Sequence, residues 1–162
     1  IKIDDGIIDV NPDLVRIAGV NMPVFSLRTE KSFGVGDFSD LRRLVDWASQ
    51  VGLKMIQILP INDTISTYSF LDSYPYNAIS VFALNPLFID VFKLGALPDK
   101  KQQSEFELAR KSLNIKQDVD YNQVIKLKLL YCKTFFENNF DKIVNSADFK
   151  RFVKKNADWL EP

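Results

Sequence analysis

The stretch Asp72-Ser73-Tyr74-Pro75-Tyr76-Asn77 sets two tyrosine rings among a carboxylate, a hydroxyl, a proline and an amide. A turn calls for Pro, Asp or Asn, but it does not call for aromatic rings beside them. Flat apolar faces next to hydrogen-bonding groups are what a sugar-binding surface requires. A tyrosine ring can cover the C–H face of a sugar while its hydroxyl bonds the same sugar. The same composition suits an ordinary packed loop, so these residues alone leave both readings open.

Other chemistries find less support. Gly34 to Ser39 (GVGDFS) falls between an expected strand and an expected helix, where a dinucleotide-binding loop would need G-x-G-x-x-G. Ser39 stands at the third glycine position, and the first glycine lies several residues past the strand. A loop whose glycines permit positive φ ahead of a capped helix fits better. The chain has no histidine, which removes Ser–His–Asp and Cys–His pairs and histidine metal ligands from it. Cys132 is the single cysteine; among Leu130, Tyr131, Phe135 and Phe136 it reads as a small buried hydrophobe, and it fits a reducing compartment. Asp63 reads as a turn residue. Gln57 is an amide inside an apolar run, so burial would require a hydrogen-bond partner, either organising a barrel interior or supporting a site above it.

The elements that must position the loop follow from hydrophobic periodicity. Residues 1–14 read as a linker or the end of an upstream domain, with Asp4, Asp5 and Gly6 as a turn and Pro12 as a breaker. Ile17 to Leu27 reads as a buried strand, with Pro23 at its end or in a bulge. A helix follows with Leu41, Leu44, Val45 and Ala48 on one face, Asp37 or Ser39 at its start, and Gly52 in the left-handed position after its end. Lys54 to Pro60 reads as a second buried strand. Strand, helix, strand is a βαβ unit, which implies parallel strands and a right-handed crossover.

The loop from Asn62 to Asn77 therefore follows the carboxyl end of a strand, where functional loops gather on parallel sheets and barrels. Beyond it, Ala78 to Gly95 suggests a short helix and an extended piece. Glu105 to Leu113 reads as a helix. Asp120 with Gln123 resembles a capping box, ahead of a face made by Val124, Leu127, Tyr131 and Phe135. Ser146 opens an amphipathic helix through Phe149, Phe152 and Val153. The expected class is α/β, with residues 15–98 forming one βαβ unit and its loop, and 99–162 a mainly helical subdomain cut short. Two strands need further strands and cover on both faces, so the chain is expected to be a piece of a longer protein.

Composition agrees with a folded domain: 46% of the 162 residues are hydrophobic and 26% charged. Lys plus Arg equals Asp plus Glu at 21 each, with no basic run interleaved with aromatics, so neither nucleic acid nor a membrane is expected as a partner.

Four ordered segments carry a family resemblance: Ala18–Leu27 (AGVNMPVFSL), Phe33–Ala48 (FGVGDFSDLRRLVDWA), Ile56–Thr64 (IQILPINDT) and Asp72–Ile89 (DSYPYNAISVFALNPLFI). Together they resemble the opening of the 4-α-glucanotransferases, the amylomaltase or disproportionating-enzyme family, and are most similar to its plant cytosolic type. The short bacterial amylomaltases usually carry a histidine at the place of Pro23 and Ser-Pro-Tyr-Gln in place of Tyr74–Asn77. The match is dense from about Ala18 to Asp90 and looser from Val119 to Pro162.

The resemblance implies the start of a (β/α)8 TIM barrel with inserted helical subdomains. It implies a retaining transfer of α-1,4-glucosyl units from maltose or maltodextrin to another glucan. Such chemistry uses two carboxylates roughly 5–5.5 Å apart. In the family these come from later strands, so no catalytic residue is expected in this chain. The resemblance places Tyr76 in the substrate cleft, with Asp72, Ser73 and Asn77 as polar contacts; bracing the loop is the alternative role for Asp72. It implies no cofactor and no metal, a cytoplasmic location, and two partners: α-1,4-glucan and the remainder of the chain's own catalytic domain. A non-catalytic glucan-binding or assembly module is the alternative function, and an unrelated nucleotide-binding domain a third.

Overall fold

The computed structural model describes Lys2–Asp4, Ile7–Asp9 and residues 17–160. The expected turn at Asp5 and Gly6 and the breaker Pro12 lie outside the described residues. Strands β1 (Lys2–Asp4) and β2 (Ile7–Asp9) pair antiparallel, with Ile3 opposite Ile8.

The βαβ unit is present. Strand β3 (Gly19–Asn21) and strand β4 (Met55–Gln57) run parallel, Val20 opposite Ile56, with helix α1 (Phe38–Gln50) between them in the chain. Main-chain bonds from Lys54 to Ala18 (3.0 Å) and from Met22 to Gln57 (2.8 Å) extend the pairing by a residue at each end.

Both strands are shorter and more exposed than the apolar runs predict. Pro23 closes β3 early by leading into a 3-10 turn, Val24–Ser26. Gly19, Asn21, Met55 and Gln57 are exposed, because among the described residues the sheet has only these two strands. Gln57 is thus not the buried amide expected; its main-chain carbonyl, not its side chain, makes the recorded bond.

Helix α1 starts as the sequence requires. Asp37 Oδ1 accepts the Ser39 and Asp40 amides at 2.8 and 3.0 Å, and Asp40 Oδ2 accepts the Asp37 amide at 3.3 Å, closing a capping box. Gly52 takes the expected left-handed φ of +81°. Ala48 is buried and Leu41 and Leu44 are half-buried, but Val45 is 49% exposed.

The main core lies away from the sheet. Two 3-10 turns, Pro86–Phe88 and Val91–Lys93, replace the short helix and extended piece. Helix α2 (Lys100–Asn114) outruns the expected span at both ends, capped by Asp99. Helix α3 (Tyr121–Asn138) is capped by Asp120, whose carboxylate accepts the Gln123 amide at 3.1 Å. Val24, Val35, Leu87, Phe106, Val124 and Tyr131 belong to one buried cluster, so the residues before and after position 98 share a core. The Tyr131 ring meets Phe92 and Phe106 edge-on at 5.3 and 5.0 Å, and its hydroxyl reaches Gly95 O at 2.7 Å.

Cys132 is half-buried rather than fully buried; burial still pushes its thiol pKa up. The chain closes with α4 (Phe140–Val144), α5 (Ala147–Lys155) and α6 (Ala157–Leu160), α5 being capped by Ser146 as expected. Among the described residues no helix is long and apolar enough to cross a membrane.

Candidate functional site

The loop leaves the carboxyl end of β4 and is closed at its base by main-chain pairing. Asp63 N donates to Ala83 O (2.9 Å), Ile79 N to Asp63 O (2.8 Å) and Asn85 N to Ile61 O (2.9 Å). Asp63 also takes its expected turn role, its carboxylate accepting the Ile65 amide at 2.9 Å. Ala78 to Leu84 thus serves as the far wall of one large loop.

Asp72 is the hub inside that loop. It is 6% exposed and lies in a 3-10 turn, Phe70–Ser73, capped by Ser69. Its Oδ1 accepts the hydroxyls of Ser66 (3.1 Å) and Thr67 (3.0 Å), and its Oδ2 accepts the amides of Thr67 (3.0 Å) and Ser69 (3.3 Å). Burial pushes this carboxyl up, but the bonds from Thr67, Ser66 and Ser69 outweigh it and hold its pKa at about 2. Both oxygens are engaged within the loop, which is the bracing role.

A second chain of bonds ties the hub to the core. Thr64 Oγ1 donates to Asp72 O (2.6 Å) and receives Asn85 Nδ2 (3.0 Å), while Asn85 Oδ1 accepts the Leu87 amide (2.9 Å). Thr64 and Asn85 are buried. Thr64 reads from sequence as a residue that could cap a turn beside Asp63, and Asn85 carries no such signal; the bond between them spans 21 residues, which no local pattern reveals.

On this base Tyr74 to Asn77 forms a turn, with Asn77 N donating to Tyr74 O at 3.3 Å and Pro75 in the second position. The turn brings the Tyr74 and Tyr76 rings to 5.6 Å with a 54° tilt, and each residue is 62% exposed. Asn77 is exposed and Ser73 half-buried, and neither side chain makes a hydrogen bond among the described residues. The crevice beneath holds only about 10 Å³, too little for a sugar ring. Tyr74 was not among the expected site residues, although its place beside Pro75 could have marked it. Tyr68 and Phe70 are further exposed rings on this loop, and Tyr68 holds a left-handed φ of 58° that a tyrosine seldom adopts.

The glycine loop offers no second site for a nucleotide. Ser32, Phe33, Val35 and Asp37 are buried, and a Cβ on Gly36 would stand 1.9 Å from Val24 O. Gly36 is needed for close packing against its own chain, so no phosphate can approach it there.

Comparison with known proteins places these features in a family. Residues 22–162 match the family described as 4-alpha-glucanotransferase. The chain is 41% identical over its whole length to 4-alpha-glucanotransferase DPE2 of Oryza sativa subsp. japonica, of which it covers 17%. It is 37% identical to the 4-alpha-glucanotransferase of Chlamydia muridarum and 33% identical to that of Chlamydia pneumoniae, covering 27% of each with 89% of its own residues. It therefore spans between about a sixth and a quarter of these relatives. With most of its length matched, the chain belongs to the 4-alpha-glucanotransferase family, glycoside hydrolase 77.

Proposed function

We propose that this chain is part of the catalytic domain of a cytoplasmic 4-α-glucanotransferase and supplies one wall of its glucan cleft. In that protein β3, α1 and β4 open a (β/α)8 barrel, and the helices from Lys100 onward belong to an inserted subdomain. The intact enzyme would cleave an α-1,4 bond of maltose or maltodextrin and pass the glycosyl unit to a glucan acceptor. A retaining double displacement needs a carboxylate nucleophile and an acid/base, both supplied by residues outside this chain.

The observation that carries this reading is the exposed Tyr74–Tyr76 pair, held on a braced loop just past the carboxyl end of β4. Tyr76 would cover a sugar face and bond it through its hydroxyl, and Ser73 and Asn77 would add polar contacts. Asp72 would act from beneath, fixing the turn that holds both rings.

The test is glucose release from maltose by the intact protein, with and without glycogen as acceptor. Release that rises with glycogen, and falls at least about 100-fold in kcat/KM for Tyr76→Ala, supports the assignment. Folded intact protein that binds maltodextrin but releases no glucose would overturn it in favour of a non-catalytic glucan-binding module.

A further inference from the structure

A cleft of about 420 Å³, sharing no lining residue with the crevice under the tyrosine loop, opens between the loop before α1, the turn Val91–Lys93 and helix α2. That volume lies within the roughly 300–1,000 Å³ typical of small-molecule sites. Four cations line it: Lys31, Arg43, Lys93 and Arg110. Two acids, Asp90 and Glu107, line it as well, and the half-buried Phe92 supplies an apolar face. The local excess of positive charge arises in a chain whose total charge is zero.

Two of the cations are held in place and two stand free of carboxylates. Arg43 is fixed by Asp40 (2.7 Å) and Thr29 (3.3 Å), and Arg110 by the carbonyl of Glu30. Lys31 and Lys93 have no carboxylate within 4.0 Å among the described residues, although Asp90 and Glu107 share the cleft with them. Glu107 accepts only the neutral Gln103 amide, at 3.0 Å. Phe92 is locked edge-on against Tyr131 and packs 5.9 Å from Phe33.

A polyanion such as nucleic acid would meet two carboxylates here, and a bare anion would leave them unused. A ligand that is anionic at one end and hydroxylated at the other satisfies both halves. We propose that this cleft binds a phosphorylated monosaccharide, the phosphate on Lys31, Lys93, Arg43 and Arg110, the hydroxyls on Asp90 and Glu107, and the apolar sugar face on Phe92. This assignment goes beyond the transferase reading and does not depend on it.

Calorimetric titration of the intact protein, with no maltose or other glucan present, tests the site with three probes: glucose 6-phosphate, inorganic phosphate and glucose. Glucose 6-phosphate is expected to bind saturably and at least about tenfold more tightly than either of the others. The double variant Lys31→Ala/Lys93→Ala should weaken it by about tenfold or more while transfer from maltose and the unfolding temperature stay unchanged. Glu107→Gln should weaken glucose 6-phosphate but not inorganic phosphate. Absence of saturable binding, indifference to the lysine variant, or inorganic phosphate binding as tightly as the sugar phosphate would each overturn the proposal. Binding is read without turnover, so loss of transferase activity and loss of this site are separate outcomes.

Discussion

Asp72 draws its structural weight from neighbours that a sequence motif does not announce. DSYPYN suggests rings beside polar groups, and the rings are exposed as a sugar surface needs. The carboxylate partners, however, come from Ser66, Thr67 and Ser69, upstream of the motif, so its bracing role becomes visible only once the chain turns back. Because its folded pKa lies below the ordinary value of 3.8, Asp72 contributes stability that is complete above about pH 4 and lost as pH falls towards 2. The contribution is roughly 2 kcal/mol. Asp72→Asn should therefore speed hydrogen exchange of the Thr67 and Ser69 amides in the intact protein by on the order of tenfold at pH 7, with little difference from the parent near pH 2. Lys128 shows the opposite sign. It is 1% exposed and donates to Leu87 O and Ile89 O at 2.7 and 2.8 Å, and burial lowers its pKa to about 8 despite the fields of Asp37, Asp90 and Asp40. Its charge opposes folding below pH 8, and stability is regained as pH rises from there towards 10.5. Subtracting Lys128→Met removes the opposing titrations of Tyr121 and Tyr131, whose raised pKa values make stability fall in the same range. The Cys132 thiol, whose pKa the Lys128 charge itself lowers, is removed by making both proteins on a Cys132→Ala background. The unfolding free energy of the parent minus that of the variant should rise by roughly 3 kcal/mol between pH 8 and 10.5. A flat difference would show that Lys128 is not titrating as a buried base.

Elements were legible where their signals are local. The caps at Asp37, Asp120 and Ser146 and the stop at Gly52 each depend on groups within three residues, and all four are present. Asp120, however, caps α3 by accepting the Gln123 amide alone, without the return bond from the Gln123 side chain that a capping box would add. Strand burial was not legible, because it depends on how many strands lie alongside, and an apolar run such as Lys54 to Pro60 carries no such count. The turns at Pro86–Phe88 and Val91–Lys93 were missed for a related reason: Lys128, some forty residues away, satisfies carbonyls that would otherwise need a longer helix. Gly36 and Gly52 separate two reasons for a glycine at the ends of α1. Gly52 has open space around it, so Gly52→Ala should cost only about 1 kcal/mol for its left-handed backbone. A Cβ on Gly36 would meet Val24 O at 1.9 Å and Leu27 O at 2.5 Å, main-chain atoms that cannot swing aside. Gly36→Ala should cost more than about 3 kcal/mol, read as a fall in urea midpoint several times that of the Gly52 variant.

Taken together, the described residues bury one core well and leave apolar surface open elsewhere, including along the sheet and at the far end of the chain. Along the sheet, Val45, Val51 and Met55 are about half exposed on α1, its end and β4. At the far end Phe82, 62% exposed, stacks on Trp159 at 5.7 Å, and Phe152, 51% exposed, meets the same indole edge-on. Apolar surface of this kind on an isolated chain drives association, because removing it from water is favourable and no other described segment covers it. Prepared alone, the chain should scatter light as oligomers that grow with concentration. Met55→Lys should lessen association through the sheet, and Phe152→Lys association through the aromatic cluster. Helical content should stay unchanged in both, since neither side chain belongs to the buried cluster. If the sheet region is what the rest of a barrel would cover, Met55→Lys should also hinder folding of the intact protein, whereas in the isolated chain it improves solubility. A chain that remains a compact monomer at high concentration would mean that these faces are self-sufficient, and would count against their being docking faces for the rest of the domain.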